Sequence, residues 1–369
     1  MLNFTIDAKD PHSKARTGTI ETSRGKVKTP LFMPVSTAGS VKAILPRDLT
    51  GAGFNIFISN TYHLYLRPGS DVIKSQGGLH KFVGWNGHIA TDSGGFQVHS
   101  LAALKKLSEN GVEFASHIDG SRHFFTPEKV VNIQKDLGSD FMMQLDECVS
   151  LPNEDEYVLN STNLSLRWAE RSQIEFKKVC DERQTLFGIV QGGVSEEFRK
   201  VSAKGLCELD FDAYSIGGLS VGEAKEDMYR IAELTAKLLP TNKPRYLMGV
   251  GTPLDLVECV RFGIDMFDCV MPTRNARNGT LFTSKGTVNI KNNKYLKDNS
   301  PLDENCACYT CQNFSKSYLR HLFMAKEISA CILNSLHNLH YYSGLIKKIQ
   351  QNIEFKNFDN FYKEFKKCL

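Results

Sequence analysis

Long apolar runs are missing from this 369-residue chain: none approaches the roughly 20 residues a membrane-spanning helix needs, which excludes a helical membrane role. The opening stretch, MLNFTIDAKDPHSK, lacks the charged head and apolar core of a secretory signal, so the expected compartment is the cytoplasm. Tryptophan is scarce, with only Trp85 and Trp168. Neither ends a strand-like run, which argues against a carbohydrate-active barrel that stacks sugars on indoles. No low-complexity linker divides the chain either. Cysteine is not scarce, and ten in a reducing compartment read as buried thiols and metal ligands rather than disulfides.

The apolar share of 41% and charged share of 23% are those of an ordinary globular protein. The net charge of +4 conceals a split: residues 271–369 hold 15 Lys and Arg against 7 Asp and Glu, the first 270 residues 30 against 34. Basic charge gathered at one end suits a polyanion-binding face, although a solvated helical surface gives the same count.

Eight short apolar or aromatic runs recur with helix-length spacers between them: 31–36, 54–59, 88–92, 141–146, 186–191, 213–218, 245–249 and 266–270. Strands alternating with helices imply parallel βα units, and eight of them imply an α/β fold of the (β/α)₈ TIM-barrel type, with a doubly wound open sheet as the alternative. Residues 17–30 read as a hairpin capping the entrance strand. An insertion at about 93–140 contains a second hairpin, turned at Asp119-Gly120, and then a helix capped by Thr126 with Pro127 at its first position. A third hairpin, GTLFTSKGTVNI, follows the last strand. The expected organisation is a barrel over 1–284 and a zinc-binding, helical C-terminal subdomain over 285–369.

CACYTC places Cys306, Cys308 and Cys311 within six residues, and His337 follows on a helical stretch. Three thiolates and an imidazole fit a closed tetrahedral Zn²⁺ site, one per chain, that holds structure rather than performing chemistry. His321 and His340 are rival fourth ligands.

Barrel chemistry sits at the C-terminal ends of the strands. Those ends carry Asp92, Asp146, Gln191, Gly217-Gly218, Gly249 and Asp268, where a metal-dependent deaminase barrel would carry histidines. Each has a bland reading as a helix cap or a turn. Together they suit a planar heterocycle: a carboxylate accepts two adjacent N–H groups, a glycine N–H reaches a carbonyl, and Phe96 and Met248 can sandwich the ring. Asp92 and Asp268 resemble the carboxylate pair of glycosidic-bond chemistry.

These residues resemble the bacterial tRNA-guanine transglycosylase (queuine tRNA-ribosyltransferase) family. The matching stretches are TDSGGFQ (91–97), MQLDECV (143–149), GIVQGG (188–193), IGGLSVGE (216–223), YLMGVGTP (246–253), FDCVMPTRNARNG (267–279), CACYTCQ (306–312) and HN (337–338), in family order over nearly the whole chain. The resemblance implies an enzyme that exchanges the wobble guanine of GUN-anticodon tRNAs for a 7-deazaguanine base. Asp268 is then the nucleophile, leaving a covalent ribosyl-aspartate, and Asp92 the proton acceptor and donor. The base would lie among Asp92, Ser93, Gly94, Gly95, Phe96, Asp146, Cys148, Gln191, Gly217, Gly218, Val221 and Met248. The anticodon stem-loop would meet Gly249, Val250, Gly251, Thr252, Pro253, Leu254 and Asp255, together with Thr273, Arg274, Asn275, Ala276 and Arg277. A homodimer is implied as well, with the zinc unit near its interface. Phe96 stands where many bacterial members have Tyr. Val221 and Cys148 are bacterial in type and Ser220 more eukaryotic, which favours 7-aminomethyl-7-deazaguanine (prequeuine) over queuine, with Glu223 sensing the aminomethyl cation. The accessory subunits of eukaryotic transglycosylases keep the zinc but lose active-site groups; Asp92, Asp146, Gln191 and Asp268 are all present here, which points to an active enzyme.

Overall fold

Each of the eight apolar runs becomes a strand in the computed structural model, which describes residues 2–102 and 104–367. They are β1 (Leu31–Pro34), β2 (Ile56–Ser59), β3 (His88–Thr91), β4 (Phe141–Met143), β5 (Thr185–Val190), β6 (Ala213–Ile216), β7 (Arg245–Leu247) and β8 (Met266–Cys269). All pair in parallel in sequence order, β8 returns to β1, and a Val35–Ile58 bridge joins β1 to β2 and closes the ring. Helices cover the outer face while side chains fill the interior, so the strands are buried on both sides and read as continuous apolar runs rather than alternating ones. In the eight strands only Asp268 is not fully buried.

Alternate residues of the strands, among them Met33, Ile58, Met143, Ile189 and Tyr246, pack into the barrel interior. Ile20 and Val27 join that cluster from a hairpin of strands Arg16–Thr22 and Gly25–Thr29, so the hairpin closes the floor of the barrel. Thr22 Oγ1 meets His88 Nε2 at 2.8 Å and Arg24 Nε donates to Asp140 at 2.9 Å, both at the bottom of the strands. A further strand, Asn3–Lys9, pairs antiparallel with Arg16–Thr22 and widens the expected hairpin to three strands. The insertion widens likewise: Lys105–Ser108 joins the hairpin of Gly111–Ala115 and Arg122–Phe125. Its turn contains Gly120 at φ +75°, and Thr126 Oγ1 accepts from Lys129 N at 3.1 Å to cap the helix Pro127–Leu137.

After β8 come a short helix (Met271–Arg277), the hairpin Thr280–Thr283 with Gly286–Asn289, and the cysteine loop. Helices Lys316–Met324, Ile328–Glu354 and Phe358–Lys367 complete the described chain. Leu281, Ile290, Leu302, Leu319 and Leu333 form a separate apolar cluster here. The long helix Ile328–Glu354 ties this region to the barrel. Tyr342 donates to Gly251 O at 2.6 Å, and its ring lies 4.9 Å from that of Phe32. Asn338 accepts from Phe282 N and donates to Pro272 O and Thr280 O, fixing both ends of the segment behind β8. No helix among the described residues is long and apolar enough to cross a membrane.

Candidate active site and metal centre

Asp268 stands in β8 with its carboxylate toward the mouth. Tyr246 Oη donates to its Oδ1 at 2.5 Å and Gly249 N donates to the same oxygen at 2.8 Å. Oδ2 has no hydrogen-bond partner among the described residues. Burial pushes the carboxyl above its ordinary range, and the two hydrogen bonds act the other way. Tyr246 is wholly buried, so its hydroxyl is a fixed part of the site.

Asp92, at the end of β3, is held more fully. Thr61 N (2.9 Å) and Gly94 N (3.2 Å) donate to Oδ1, and Asn60 Nδ2 (2.5 Å) to Oδ2. Burial, reinforced by the charge of Asp268 and opposed by these donors, raises its pKa to about 6. The charge of Asp268 thus reaches Asp92, whose carboxyl titrates closer to neutrality than an ordinary aspartate.

Beyond β4, Asp146 accepts from Ser93 Oγ at 2.8 Å and from Gln191 Nε2 at 2.7 Å; burial raises its pKa as well. Gln191 in turn lies against the glycine pair after β6. A Cβ on Gly217 would come within 2.8 Å of Gln191 Nε2, and one on Gly218 within 2.2 Å of Oε1, with Gly218 at φ +62°. Only glycine fits this approach and this backbone. Gly95 is equally confined, its absent Cβ lying 2.4 Å from Asp146 O. The structure thus brings Asp92, Ser93, Gly94, Gly95, Asp146, Gln191, Gly217, Gly218 and Asp268 together.

Phe96 is 49% exposed on the helix Gly95–Leu101, free to cover a ring, and Met248 is half-buried on the interior cluster. Cys148 is buried and its thiol pushed up to about 12 by burial, so it stays protonated. Glu223 accepts from Ser220 N and from Val221 N (2.9 Å), which orders the loop after Gly218. Three buried partners escaped the sequence reading: Thr61, which bonds Asp92 through both its N–H and its hydroxyl, Tyr246, and Arg199, whose guanidinium donates to four carbonyls around Gln191 and Gly218. Arg199 had one signal, its i, i+3, i+4, i+7 spacing with the buried Ser202, Ala203 and Leu206.

Of the two segments assigned to RNA, Gly249 and Arg274 are exposed, while Thr252, Leu254, Asn275 and Arg277 are half-buried. Val250, Gly251, Pro253, Thr273 and Ala276 are buried. Asp255 turns inward too: it closes a capping box with Thr252 and takes Lys225 Nζ at 2.8 Å and Tyr229 Oη at 2.7 Å. Neither Arg274 nor Arg277 meets a carboxylate among the described residues, and Arg277 Nη1 is buried without a partner. Two unneutralised guanidiniums therefore stand on the turn that follows Asp268.

The ligand atoms of Cys306, Cys308, Cys311 and His337 lie within 4.8 Å of one another. His337 Nδ1 is 3.7, 3.6 and 3.3 Å from the three sulfurs. Tetrahedral bonds of about 2.3 Å to sulfur and 2.0 Å to nitrogen imply N···S edges of about 3.5 Å, so the set fits one metal ion. His337 Nε2 lies 2.7 Å from Phe282 O; a carbonyl only accepts, so Nε2 carries the proton and Nδ1 faces the sulfurs. Of the rivals, His340 Nδ1 approaches only Cys306 (3.6 Å), and His321 lies beside Tyr318 on another helix.

Comparison with known proteins agrees with this arrangement. The family model described as queuine tRNA-ribosyltransferase matches residues 10–368. A queuine tRNA-ribosyltransferase of Thermoanaerobacter sp. (strain X514) is 54% identical over 364 residues, 99% of this chain and 96% of the relative. That of Blochmanniella pennsylvanica is 54% identical over 99% of both chains, and that of Lawsonia intracellularis 56% identical over 93% of this chain and 92% of its own. A barrel whose strand ends carry this polar set, matched along almost its whole length, belongs to the queuine tRNA-ribosyltransferase family.

Proposed function

We propose that the chain is a tRNA-guanine transglycosylase acting on the wobble guanine of GUN-anticodon tRNAs. The observation that carries this reading is the pairing of two unlike carboxylates at one mouth. Asp268 is anchored through a single oxygen, and Asp92 is anchored through both with its pKa at about 6. In the first step Asp268 Oδ2 bonds to the ribose C1′ as the C1′–N9 bond breaks, and the departing guanine takes a proton from Asp92. In the second, the incoming base gives its N9 proton to Asp92 and N9 displaces Asp268 from C1′. Two displacements at one carbon retain its configuration, as in a retaining glycosidase with a base in place of water. Asp146 accepts from the amino–imino edge, while Gln191 and Gly218 address the carbonyl. Phe96 and Met248 cover the faces and help exclude water from the ribosyl-aspartate.

The incoming base is prequeuine in this reading. Val221 narrows the space a bulky cyclopentenediol would need, and Glu223 lies two residues away to meet an aminomethyl cation. Arg274 and Arg277 bind phosphates beside the extruded nucleotide, so that clamp and nucleophile share one rigid turn. Zn²⁺ is the metal that three thiolates and one imidazole suit. When bound, it cross-links the cysteine loop to the long helix that carries Asn338. The exposed Tyr309, Tyr318, Met324 and Ile328 support a homodimer through this same region, and the tRNA substrate implies a cytoplasmic enzyme.

The test is exchange of labelled guanine into a tRNA whose anticodon begins with guanine, with an Asp268→Asn variant alongside. Label entering only with the wild type, and only at the wobble position, is expected. No incorporation by folded, zinc-loaded protein refutes the reading.

A further inference from the structure

Arg199 lies in the helix Glu196–Leu209, next to acidic Glu196 and Glu197 in a sequence that looks like a solvated first turn. Yet the side chain is wholly buried and forms no ion pair among the described residues. All its bonds go to backbone carbonyls: Nε to Gly193 O (2.9 Å), Nη1 to Val190 O and Gly217 O (2.8 Å each), and Nη2 to Gly218 O (3.2 Å). Glu223 attracts the charge only from beyond ion-pair distance, and a desolvated charge without a close counter-ion is a costly thing to bury. Burial moves the guanidinium only down to about 10, so it stays charged at neutral pH.

The four carbonyls come from two adjacent loops, one around Gln191 and one through Gly217-Gly218. In a planar trans peptide the C=O and the following N–H point in opposite directions. Holding Gly217 O against Arg199 therefore turns Gly218 N–H away from the guanidinium, toward the mouth. No hydrogen bond runs from that N–H to a backbone or side-chain acceptor among the described residues. A cation on the carbonyl side also polarises the peptide and strengthens the N–H as a donor.

We propose that Arg199 is the positioning residue that aims and polarises the Gly218 N–H at the carbonyl oxygen of the base, and so sets the preference for an oxo-purine. The inference rests on the base-exchange reading above and assigns its carbonyl recognition to a residue that does not itself touch the base. Lysine at this position keeps the charge but offers three donors on one atom and cannot span four carbonyls.

The experiment compares guanine with 6-thioguanine, which keeps the amino–imino edge but presents a poor acceptor, on the full-length wild type, Arg199→Lys and Arg199→Met. The wild type is expected to prefer guanine by about tenfold, the scale of one good hydrogen bond. In Arg199→Met the KM for guanine rises by a similar factor, the guanine-to-thioguanine ratio falls toward one, and the KM for tRNA stays unchanged; Arg199→Lys lies between. Parallel weakening of both bases and of tRNA, or a guanine KM within two-fold of wild type in either folded variant, overturns the proposal. Should Arg199→Met not fold, Arg199→Lys and the wild-type preference decide it, because a wild type without that preference overturns it directly. A wild type that incorporates no guanine overturns the base-exchange reading and this inference with it. A wild type that exchanges while the variants keep their selectivity overturns only the inference.

Discussion

Replacing Tyr246 with Phe removes one hydroxyl and keeps a buried ring that packs edge-on against Phe187. In the free enzyme that hydroxyl and Gly249 N both donate to Oδ1 of an ionised Asp268. Once Oδ2 is bonded to ribose the charge is gone, and Oδ1 becomes the carbonyl oxygen of an ester. A hydrogen bond to a charged group is worth about 1.5–3 kcal/mol and one to a neutral group about 0.5–1.5. The substitution therefore destabilises the free carboxylate by about 1.4 kcal/mol more than the adduct, a tenfold change in their ratio. Two results follow. The ribosyl-enzyme accumulates about tenfold more in Tyr246→Phe, by the same difference. Its transfer to the incoming base slows, because Asp268 has become a poorer leaving group. Rapid quenching with radiolabelled anticodon stem-loop, followed by denaturing electrophoresis, reads both quantities. The hydrogen bond also lowers the Asp268 pKa, so the acid limb of turnover moves to higher pH when it is removed. Adduct level, transfer rate and acid limb all unchanged in a folded variant refute the reasoning.

Asp92 has a folded-state pKa of about 6 against an unfolded value near 3.8, so the unfolded chain ionises first and stability falls as pH rises between those values. Asp92→Asn is thus expected to unfold at a higher temperature than wild type at pH 7–8, by up to about 3 kcal/mol at about 1.4 kcal/mol per unit, and to lose the advantage toward pH 4 while exchange is abolished. Thermal scans across that range check the sign. Arg274→Ala should weaken tRNA binding at every sequence and reduce the slope of log affinity against log salt by about 1, measured by a salt titration. Metal removal by a chelator, or Cys311→Ser, should lower the unfolding temperature and raise the KM for tRNA more than that for guanine. The helix carrying His337 also carries Asn338, which fixes Pro272 and Thr280 around the arginines; equal effects on both KM values contradict that route. Val221→Gly should admit queuine alongside prequeuine, and unchanged selectivity between them counts against the assigned base.

The barrel was legible because strands covered on both faces must be apolar throughout, and eight such runs at helix-length spacing leave few architectures. Asp268 could be singled out for the same reason, as a carboxylate set in an apolar strand. Strands lacking that constraint were not visible. Asn3–Lys9 alternates between exposed and half-buried positions, and Lys105–Ser108 (KKLS) has no apolar pattern, its place depending on pairing with Gly111–Ala115. The metal set stood out through cysteine density, with His337 expected ahead of His321 and His340, and the imidazole direction fixed by Phe282 O agrees with that choice. Tyr246 and Arg199 were hidden because their sequence context is ordinary: one reads as a strand aromatic, the other as one charge among several at a helix start. Asp255 shows the opposite case. Its place in a matching segment suggested contact with RNA, while its carboxylate closes a helix cap beneath the surface.

In the proposed reaction Asp268 becomes covalently bonded to the ribose from which guanine has left. Intact-mass and peptide-mass analysis of protein denatured during reaction with a guanine-34 anticodon stem-loop tests it most directly. An RNA adduct is expected on the peptide containing Asp268, abolished by Asp268→Asn and still formed, at higher level, in Tyr246→Phe. Turnover with no adduct at any quench time, or an adduct on Asp92, contradicts it.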